Sequence, residues 1–264
     1  LPPIHPVPRV AVNEGTGMPE VRNRAGVTFI TGEATDYNLG IADTDADASV
    51  EIKRDILTVS YERGFLYASW GLIMNSAWDS GLDGMAGYDR FALKAGDGDG
   101  WRLACRLSGN LLSNPSVIAR YYGTLSHSRE EYGIDYGGQW QTTQTVIVPG
   151  VGTNFVPVTF NRTASDSDSE AGEVTETQVS GGMSLSATWG RWRAIGDAQV
   201  LLVKDVSVKP SISLKGVEHA LVLGNDETLM LSVGVGVTFA QLEIRADAGL
   251  LGRPGIAIGA VCEF

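Results

Sequence analysis

The sequence has 264 residues and a formal net charge of -11, with 43% hydrophobic and 19% charged residues. The apolar content excludes a disordered chain, and the acidic balance argues against nucleic acid as a partner, because phosphates are bound by basic surfaces. No stretch of about 18 apolar residues predicts a transmembrane helix. No cofactor or metal is predicted, since no nucleotide-binding motif or zinc-ligand spacing is present.

Alternation with a period of two residues dominates the chain, and helical periodicity is almost absent. From Leu229 to Phe239, for example, one face is entirely large and apolar, and the other carries Met, Ser, Gly and Thr. Such a pattern is typical of a strand. In chain order it predicts strands at 24–36, 48–61, 65–76, 86–95, 101–110, 179–189, 192–206, 229–239, 242–249 and 255–264.

The region 111–163 is ambiguous. It fits either one long loop or two further strands, at 111–125 and 138–148. The sequence therefore predicts ten to twelve strands.

The predicted connections alternate between tight and long. Tight turns are expected at 62–64, 96–100, 190–191 and 240–241, and long polar loops at 37–47, 75–85, 164–177 and 207–226. This order is typical of an antiparallel up-and-down meander, with short turns at one end and long loops at the other.

A meander of this kind fits either a soluble or a membrane barrel, which differ in the side that is apolar. The polar faces here are rich in Gly and Ser, whereas a strand facing water usually carries long charged side chains. Aromatic residues also lie near the ends of the apolar faces, as at a membrane interface. They are Tyr61, Phe65, Trp101, Trp189, Trp192, Phe239 and Phe264. We predict an all-β, single up-and-down transmembrane barrel, with short periplasmic turns and long extracellular loops.

The last eight residues, AIGAVCEF, resemble the sorting signal of Gram-negative outer-membrane β-barrel proteins. Gly259 and Phe264 match that signal and Cys262 takes its apolar position, whereas Ala257 departs from its polar first position. The layout also resembles porin- or transporter-like barrels. This resemblance implies the bacterial outer membrane as the location, with lipid and lipopolysaccharide around the barrel. It also implies that Phe264 is recognised by the barrel-assembly machinery.

The chain divides into a Pro-rich segment, residues 1–20, and the predicted barrel, residues 21–264. Four of the first eight residues are proline, which cannot pair within a sheet. We expect an extended periplasmic segment, either a tail or an arm that binds a partner protein or enters the lumen. The start at Leu1 is typical of a mature protein whose signal peptide has been removed.

Charged residues fall on the faces assigned to the lumen, and they are net basic. Two interpretations stay open: a narrow or gated, anion-attracting channel or transporter for small solutes, or a sealed structural or docking barrel. In the sealed barrel the charged side chains would fill the lumen as ion pairs, because an unpaired buried charge is costly. A barrel of ten or twelve strands is closer in size to barrels of about eight strands, which side chains fill, than to open channels of about sixteen strands. The charged residues assigned to the lumen are Arg54, Arg90, Lys94, Arg102, Arg106, Arg193, Asp197, Glu243, Arg245 and Asp247.

The remaining chemical groups predict no enzyme. His127 and His219 have no serine two residues away on the same face, although acids at an extracellular rim could surround either. The acidic loops, predicted as solvated or as loose divalent-cation sites, carry Asp36, Asp43, Asp45, Asp47, Asp166, Asp168, Glu170, Glu173 and Glu176. Cys105 and Cys262 fall on outward faces of distant strands and are predicted to be free.

Overall fold

A computed structural model describes residues 23–42, 47–82, 88–114, 116–149, 155–209, 212–214, 217–224 and 228–264. The Pro-rich segment 1–20 lies outside these residues. No helix in the described ranges is long and apolar enough to cross a membrane. The strands are β1 (Asn23–Ile41), β2 (Asp47–Arg63), β3 (Leu66–Leu82), β4 (Arg90–Ser113), β5 (Val117–Pro149), β6 (Phe155–Trp189), β7 (Trp192–Lys209), β8 (Ile212–Leu214), β9 (Val217–His219), β10 (Leu221–Gly224), β11 (Leu229–Phe239), β12 (Leu242–Leu251) and β13 (Gly255–Glu263).

Ten strands close an antiparallel ring in the order β1-β2-β3-β4-β5-β6-β7-β11-β12-β13. β13 pairs back onto β1, for example Ile258 with Phe29, and this pairing closes the ring. Higher up, β10 also pairs with β1, and β8 and β9 form a separate hairpin. The predicted up-and-down barrel is confirmed, with ten strands.

The tight turns and the end of β13 lie at one end of the barrel, which is the periplasmic end in outer-membrane barrels. The turns at 64–65, 190–191 and 240–241 follow the prediction. Gly64 and Gly190 have positive φ angles of 61°, as such turns require. β4 and β5 are joined at the same end through residues 114–116.

The prediction of a turn at 96–100 is wrong. β4 runs straight through this GDGDG stretch, which forms a bulge: the register against β5 shifts between Gly96 and Asp99, and Asp97 has a φ of 51°. The predicted strands 86–95 and 101–110 are therefore one strand. β5, from the ambiguous region, supplies the tenth.

Most residues predicted as long polar loops continue the strands beyond the membrane. Residues 37–41, 75–82, 164–177 and 207–209 all belong to strands. Inside this upper barrel lie apolar side chains such as Tyr37, Leu39 and Val174, each at most 1% exposed. The outward residues are polar because this part of the wall faces water, and that polarity was the reason for predicting loops.

β2 shows both environments within one strand. In its lower part, Leu57 and Val59 are 36% and 45% exposed while Thr58 is buried. In its upper part the arrangement is reversed: Val50 and Ile52 are buried, and the residues between and beside them are exposed. An apolar outer surface over a polar interior is the arrangement of a membrane-spanning barrel.

The exposed apolar side chains of the lower barrel form a belt that faces lipid, and they are on the strand faces for which the sequence predicted this. Leu185, Val233 and Ile258 are 54%, 45% and 58% exposed, whereas Arg245 is 6% exposed. Six of the predicted interface aromatics lie beside the periplasmic turns or next to Asn23, and all six are exposed: Tyr61, Phe65, Trp189, Trp192, Phe239 and Phe264. Trp101 is the exception. It lies within β4 opposite Arg129, near the upper edge of the belt, because residues 96–100 are not a turn.

Both cysteines are free and exposed, as predicted. Cys105 lies on β4 and Cys262 on β13, four strands apart around the ring by the shorter path. This separation is too large for a disulfide bond.

Val235 lies near the middle of the belt on β11 and is 45% exposed. We expect Val235→Arg to reduce the free energy of folding into a bilayer by about 2–4 kcal/mol, because a cation at the bilayer midplane is costly. Urea titration of folding into phosphatidylcholine vesicles measures this difference. Ser49→Arg, on the outer face of upper β2, is the control and should cost little. Equal costs for both variants would contradict the assigned position of the membrane.

Candidate functional site

The interior of the barrel is the candidate site, and side chains fill it at successive levels. From the extracellular end these are an apolar plug, a central ion cluster, a small apolar patch and a periplasmic ion cluster. The apolar patch consists of Ile30, Ile56, Ile73 and Ala257, each at most 1% exposed.

The central ion cluster is built around Arg54. Its Nε donates to both carboxylate oxygens of Glu130, at 2.8 and 2.9 Å, and the two side chains are 0% and 1% exposed. Arg54 also donates to Thr35 Oγ1 at 3.1 Å. Glu130 accepts further hydrogen bonds from Ser76 Oγ, at 2.9 Å, and from the Tyr132 hydroxyl. This buried pair is therefore fully embedded in hydrogen bonds, the condition under which buried charges are tolerated.

Glu176 forms the second centre of this cluster. Its carboxylate accepts from the Tyr37 hydroxyl at 2.8 Å and from Arg253 Nη2 at 3.1 Å, and Lys204 Nζ lies 3.1 Å away. The Lys204 ammonium also lies 4.2 Å from the centre of the Tyr37 ring. These contacts connect β1, β6, β7 and the turn after β12 across the lumen.

Glu33 completes the central ion cluster. It pairs with Arg102 at 2.8 and 3.2 Å and lies 3.7 Å from Arg253. A bulge in β1 turns Glu33 inward: Gly32 has a φ of 62°, and the register against β2 shifts between Ile30 and Glu33. Asp55 Oδ1 fixes this bulge by accepting from Thr31 Oγ1 at 2.8 Å and from Gly32 N at 3.0 Å.

The periplasmic ion cluster contains a second set of paired charges. Arg193 lies 3.0 Å from Glu243, and Arg245 Nε donates to Asp247 Oδ1 at 2.8 Å. Asp197 accepts from the Tyr122 hydroxyl and lies 3.6 Å from Arg106. Two further pairs are Arg120 with Glu62 at 3.5 Å and Arg24 with Glu263 at 2.8 Å.

The apolar plug fills the extracellular part of the lumen. It contains Tyr37, Leu39, Ile41, Val50, Ile52, Trp78, Phe91, Leu93, Ala95, Tyr132, Ile134, Tyr136, Val174, Ile212, Leu221 and Leu223, all buried. At its rim, Tyr136 donates to Glu170 at 3.2 Å and accepts from Ser213 N at 3.2 Å. Burial raises the pKa of the Tyr136 hydroxyl, so it remains a donor at neutral pH.

Most of the charged residues predicted for the lumen lie inside it. Arg54, Arg193, Arg106, Glu243, Arg245 and Asp247 are at most 7% exposed, and Arg102 and Asp197 have side-chain exposures of 13% and 9%. Arg90 and Lys94 are exposed instead. The bulge at Gly96–Asp99 reverses the facing of upper β4, so Phe91, Leu93 and Ala95 point inward there.

The excess of basic residues in the lumen is smaller than the sequence suggested. Among the described residues nine basic side chains lie inside with eight acidic ones, because acids that sequence reasoning did not assign to the lumen offset most of the cations. Glu130 lies in the ambiguous region, and Glu176 lies in a stretch predicted as a loop. Alternation with the inward Tyr122 and Thr124 could have assigned Glu130 to the interior. Arg253 lies in a turn, where no periodicity applies. The missed residues are Arg24, Glu33, Glu62, Arg120, Glu130, Glu176, Lys204, Arg253 and Glu263.

The three residues of the predicted assembly signal occupy different environments. Gly259 lies between Thr28 and Arg245, where an added Cβ would come within 2.6 Å of Thr28 Oγ1. Cys262 and Phe264 are exposed on the outer face. The backbone of Phe264 is hydrogen-bonded to Asn23, with N to O distances of 3.0 and 3.3 Å. Recognition of these residues by the assembly machinery stays a prediction.

The two histidines considered for catalysis are in unrelated places. His127 lies on the outer face of β5, 2.8 Å from Thr177 Oγ1 and against the Trp101 ring. His219 lies in β9, opposite Ile212. Within the described part of the chain, no group of three or more His, Cys, Asp or Glu residues is arranged to hold a metal ion. Asp43 and Asp45 lie outside the described residues.

A two-stranded ribbon projects from the extracellular end of the barrel. β4 pairs with β5 only as far as Gln139, and β7 pairs with β6 only as far as Glu173. Among the described residues, 140–149 of β5 and 155–164 of β6 therefore pair only with each other, and we call them the extracellular ribbon. Ile147 and Phe160 within it are 67% and 53% exposed.

Solved structures with a similar fold are outer-membrane barrels. The outer membrane protease OmpT of Escherichia coli matches with a TM-score of 0.56 and 9% identity, over 93% of this chain and 96% of that chain. Two autotransporter barrels match with lower scores. They are the transport unit of AIDA-I from Escherichia coli (TM-score 0.34, 9% identity, 96% and 93% covered) and the NalP translocator domain from Neisseria meningitidis (0.29, 12%, 96% and 92%).

The match to the OmpT structure concerns the fold alone, because the identity is so low. TM-scores below 0.5 support no conclusion from the other two. No protein-family model and no curated protein matches the sequence. The predicted outer-membrane β-barrel, and with it the bacterial outer membrane as its location, is confirmed at the level of the fold.

The Arg54–Glu130 pair should contribute strongly to stability. We expect Arg54→Met to cost about 3–5 kcal/mol, because it leaves the Glu130 charge buried and unpaired. Arg54→Met combined with Glu130→Leu should recover part of that loss. Arg129→Met is the control: Arg129 pairs with Glu173 at 2.8 Å but is 45% exposed, so the cost should be about 0–1 kcal/mol. Urea unfolding in detergent measures all three variants. Equal losses for Arg54→Met and Arg129→Met would contradict the prediction.

Proposed function

We propose that this protein is a sealed outer-membrane barrel that anchors the extracellular ribbon at the cell surface as a docking element. The observation that carries the proposal is the filling of the lumen at successive levels, with the Arg54 and Glu130 side chains 0% and 1% exposed between the apolar levels. A solute pathway needs a continuous polar lining and room for hydrated solutes. This packing supports the sealed barrel over the narrow or gated channel.

The balance of charge also supports a sealed barrel. An anion pathway would hold an excess of basic groups facing the passage. In the two ion clusters the acids lie close to basic partners, as Glu33 to Arg102 at 2.8 Å and Glu263 to Arg24 at 2.8 Å. Paired charges of this kind hold strands together and leave little field to attract a solute.

The proposed role is non-catalytic and places the interaction outside the membrane. Within the part of the chain that the structure describes, the ribbon pairs with no further strand, and it exposes apolar residues such as Ile147 and Phe160. The Pro-rich segment 1–20 is a second place where a partner could bind. Lipid and lipopolysaccharide surround the belt.

Conductance tests the sealed lumen. Wild-type protein in planar bilayers should show no steady ion current, and Glu51→Gln, an exposed change on upper β2, should behave identically. Arg54→Ala combined with Glu130→Ala removes the buried pair and should produce intermittent current. A steady wild-type current that depends on salt concentration would contradict the sealed barrel and restore the channel.

The assembly role of residues 257–264 is also part of the proposal. We expect Phe264→Ala to lower the amount of folded protein in the outer membrane, because the aromatic side chain is the part that the machinery would bind. Phe239→Ala is the matched control, since Phe239 is also an exposed aromatic at the periplasmic end, 47% against 65% for Phe264. Heat-modifiable gel mobility of membrane fractions measures folding. Equal losses in both variants would indicate a general role for interface aromatics.

A further inference from the structure

The extracellular ribbon has no acidic residue, and its one charged residue is Arg162, although the protein as a whole is acidic. Residues 140–161 contain no Asp, Glu, Lys or Arg, whereas the whole chain has a net charge of -11. At the base of the ribbon, Asp166, Asp168 and Glu170 follow at alternate positions of β6. Two copies of such a protein repel each other over most of their surfaces. The ribbon is where a second copy can approach without that repulsion.

The two edges of the ribbon differ in their protection against pairing. The β6 edge carries Pro157, which has no N–H to donate, and the charged Arg162. Proline and charge are the devices by which edge strands avoid pairing with other chains. The β5 edge, residues 140–148, has no proline and no charge, and its register against β6 is free of bulges. A strand can therefore add to β5 but is hindered at β6.

We propose that the β5 edge pairs with the β5 edge of a second copy, antiparallel and centred on Gln144, joining barrels in two apposed membranes. The inference deepens the proposed docking role by naming the partner. Antiparallel strands of two identical copies form an isologous contact, and the two barrels then lie at opposite ends of the joint sheet. The result is a four-stranded sheet between two cells.

The length of the free edge sets this register. The edge becomes available after Gln139, where pairing with β4 ends, and β5 ends at Pro149. Gln139 O already accepts from Asp89 N at 2.7 Å and Pro149 has no N–H, so pairing uses the residues between them. Gln141 of one copy then lies opposite Ile147 of the other, and the centre falls on Gln144. About ten residues at 3.3–3.4 Å each give ~33 Å of overlap.

The cross-strand pairs at this register are compatible. Gln144 faces Gln144 of the second copy, Thr143 faces Thr145, and Thr142 faces Val146. Pairs of amide, hydroxyl and β-branched side chains stabilise adjacent strands. A two-stranded ribbon alone is marginally stable in water, whereas four strands form a more stable sheet. Many copies on each membrane would multiply one weak contact by avidity.

The test uses proteoliposomes with the ribbon outward, checked by protease accessibility, and follows their aggregation by light scattering. Wild-type vesicles should aggregate with one another but not with protein-free vesicles. Gln144→Lys and Gln144→Glu each place like charges opposite each other, so vesicles of either variant alone should stop aggregating. A mixture of the two should aggregate again. Asn161→Lys, on the protected β6 strand, is the control and should leave aggregation intact.

A second variant removes the ribbon while keeping the barrel. Gln139 and Ser165 are opposite each other, so an Asn-Gly turn can replace residues 140–164. These vesicles should not aggregate. Absence of wild-type aggregation, failure of the charge-swapped mixture to aggregate, or aggregation with protein-free vesicles would each overturn the proposal. Conductance measured on the same vesicles tests the sealed barrel separately, so the two proposals can fail independently.

Discussion

The buried ion pair of Arg54 with Glu130 connects the strands of the barrel at the height where its outer surface changes from facing lipid to facing water. Below that level the wall is apolar outside and the lumen polar, and above it the order is reversed, as β2 shows along its length. Both charges are almost completely desolvated, so each depends on the other and on neighbouring hydroxyl groups. The pair therefore fixes the relative positions of β2 and β5 across the lumen, which the ring of backbone hydrogen bonds alone does not do.

Bulges allow one chain to serve both environments. Because side chains alternate with a strict period of two, a strand can change which residues face inward only by adding a residue. β1 does so at Gly32, which brings Glu33 into the lumen, and β4 does so at Gly96–Asp99. The second bulge places Phe91 and Leu93 in the apolar plug while Arg102 and Arg106 stay in the ion clusters. The glycines within these two strands therefore form the bulges that determine which side chains point into the lumen.

The membrane part of the fold could be predicted from sequence because lipid imposes one rule on every strand. Leu185, Val233 and Ile258 follow that rule and were assigned correctly. Sequence reasoning failed where the rule changes. A bulge such as GDGDG has the composition of a turn, and a strand in water, such as the one carrying Glu176, has the composition of a loop. Arg253 could not be found at all, since its inward position depends on a turn whose conformation only the folded barrel defines.

The proposed sealed lumen directs attention to the outside of the barrel. Charged groups that neutralise one another across the interior stabilise the barrel, so under this proposal specific recognition falls to surfaces beyond the lipid. Two of those surfaces differ in kind: the acidic upper wall, which repels other copies, and the ribbon above it, whose β5 edge is uncharged. The long strands place the uncharged β5 edge above the acidic wall. The surface that repels a second copy and the edge that binds it are therefore some distance apart. At the ribbon's height of roughly 33 Å, several Debye lengths at physiological ionic strength, the repulsion of the wall is screened and a short-range backbone contact can form.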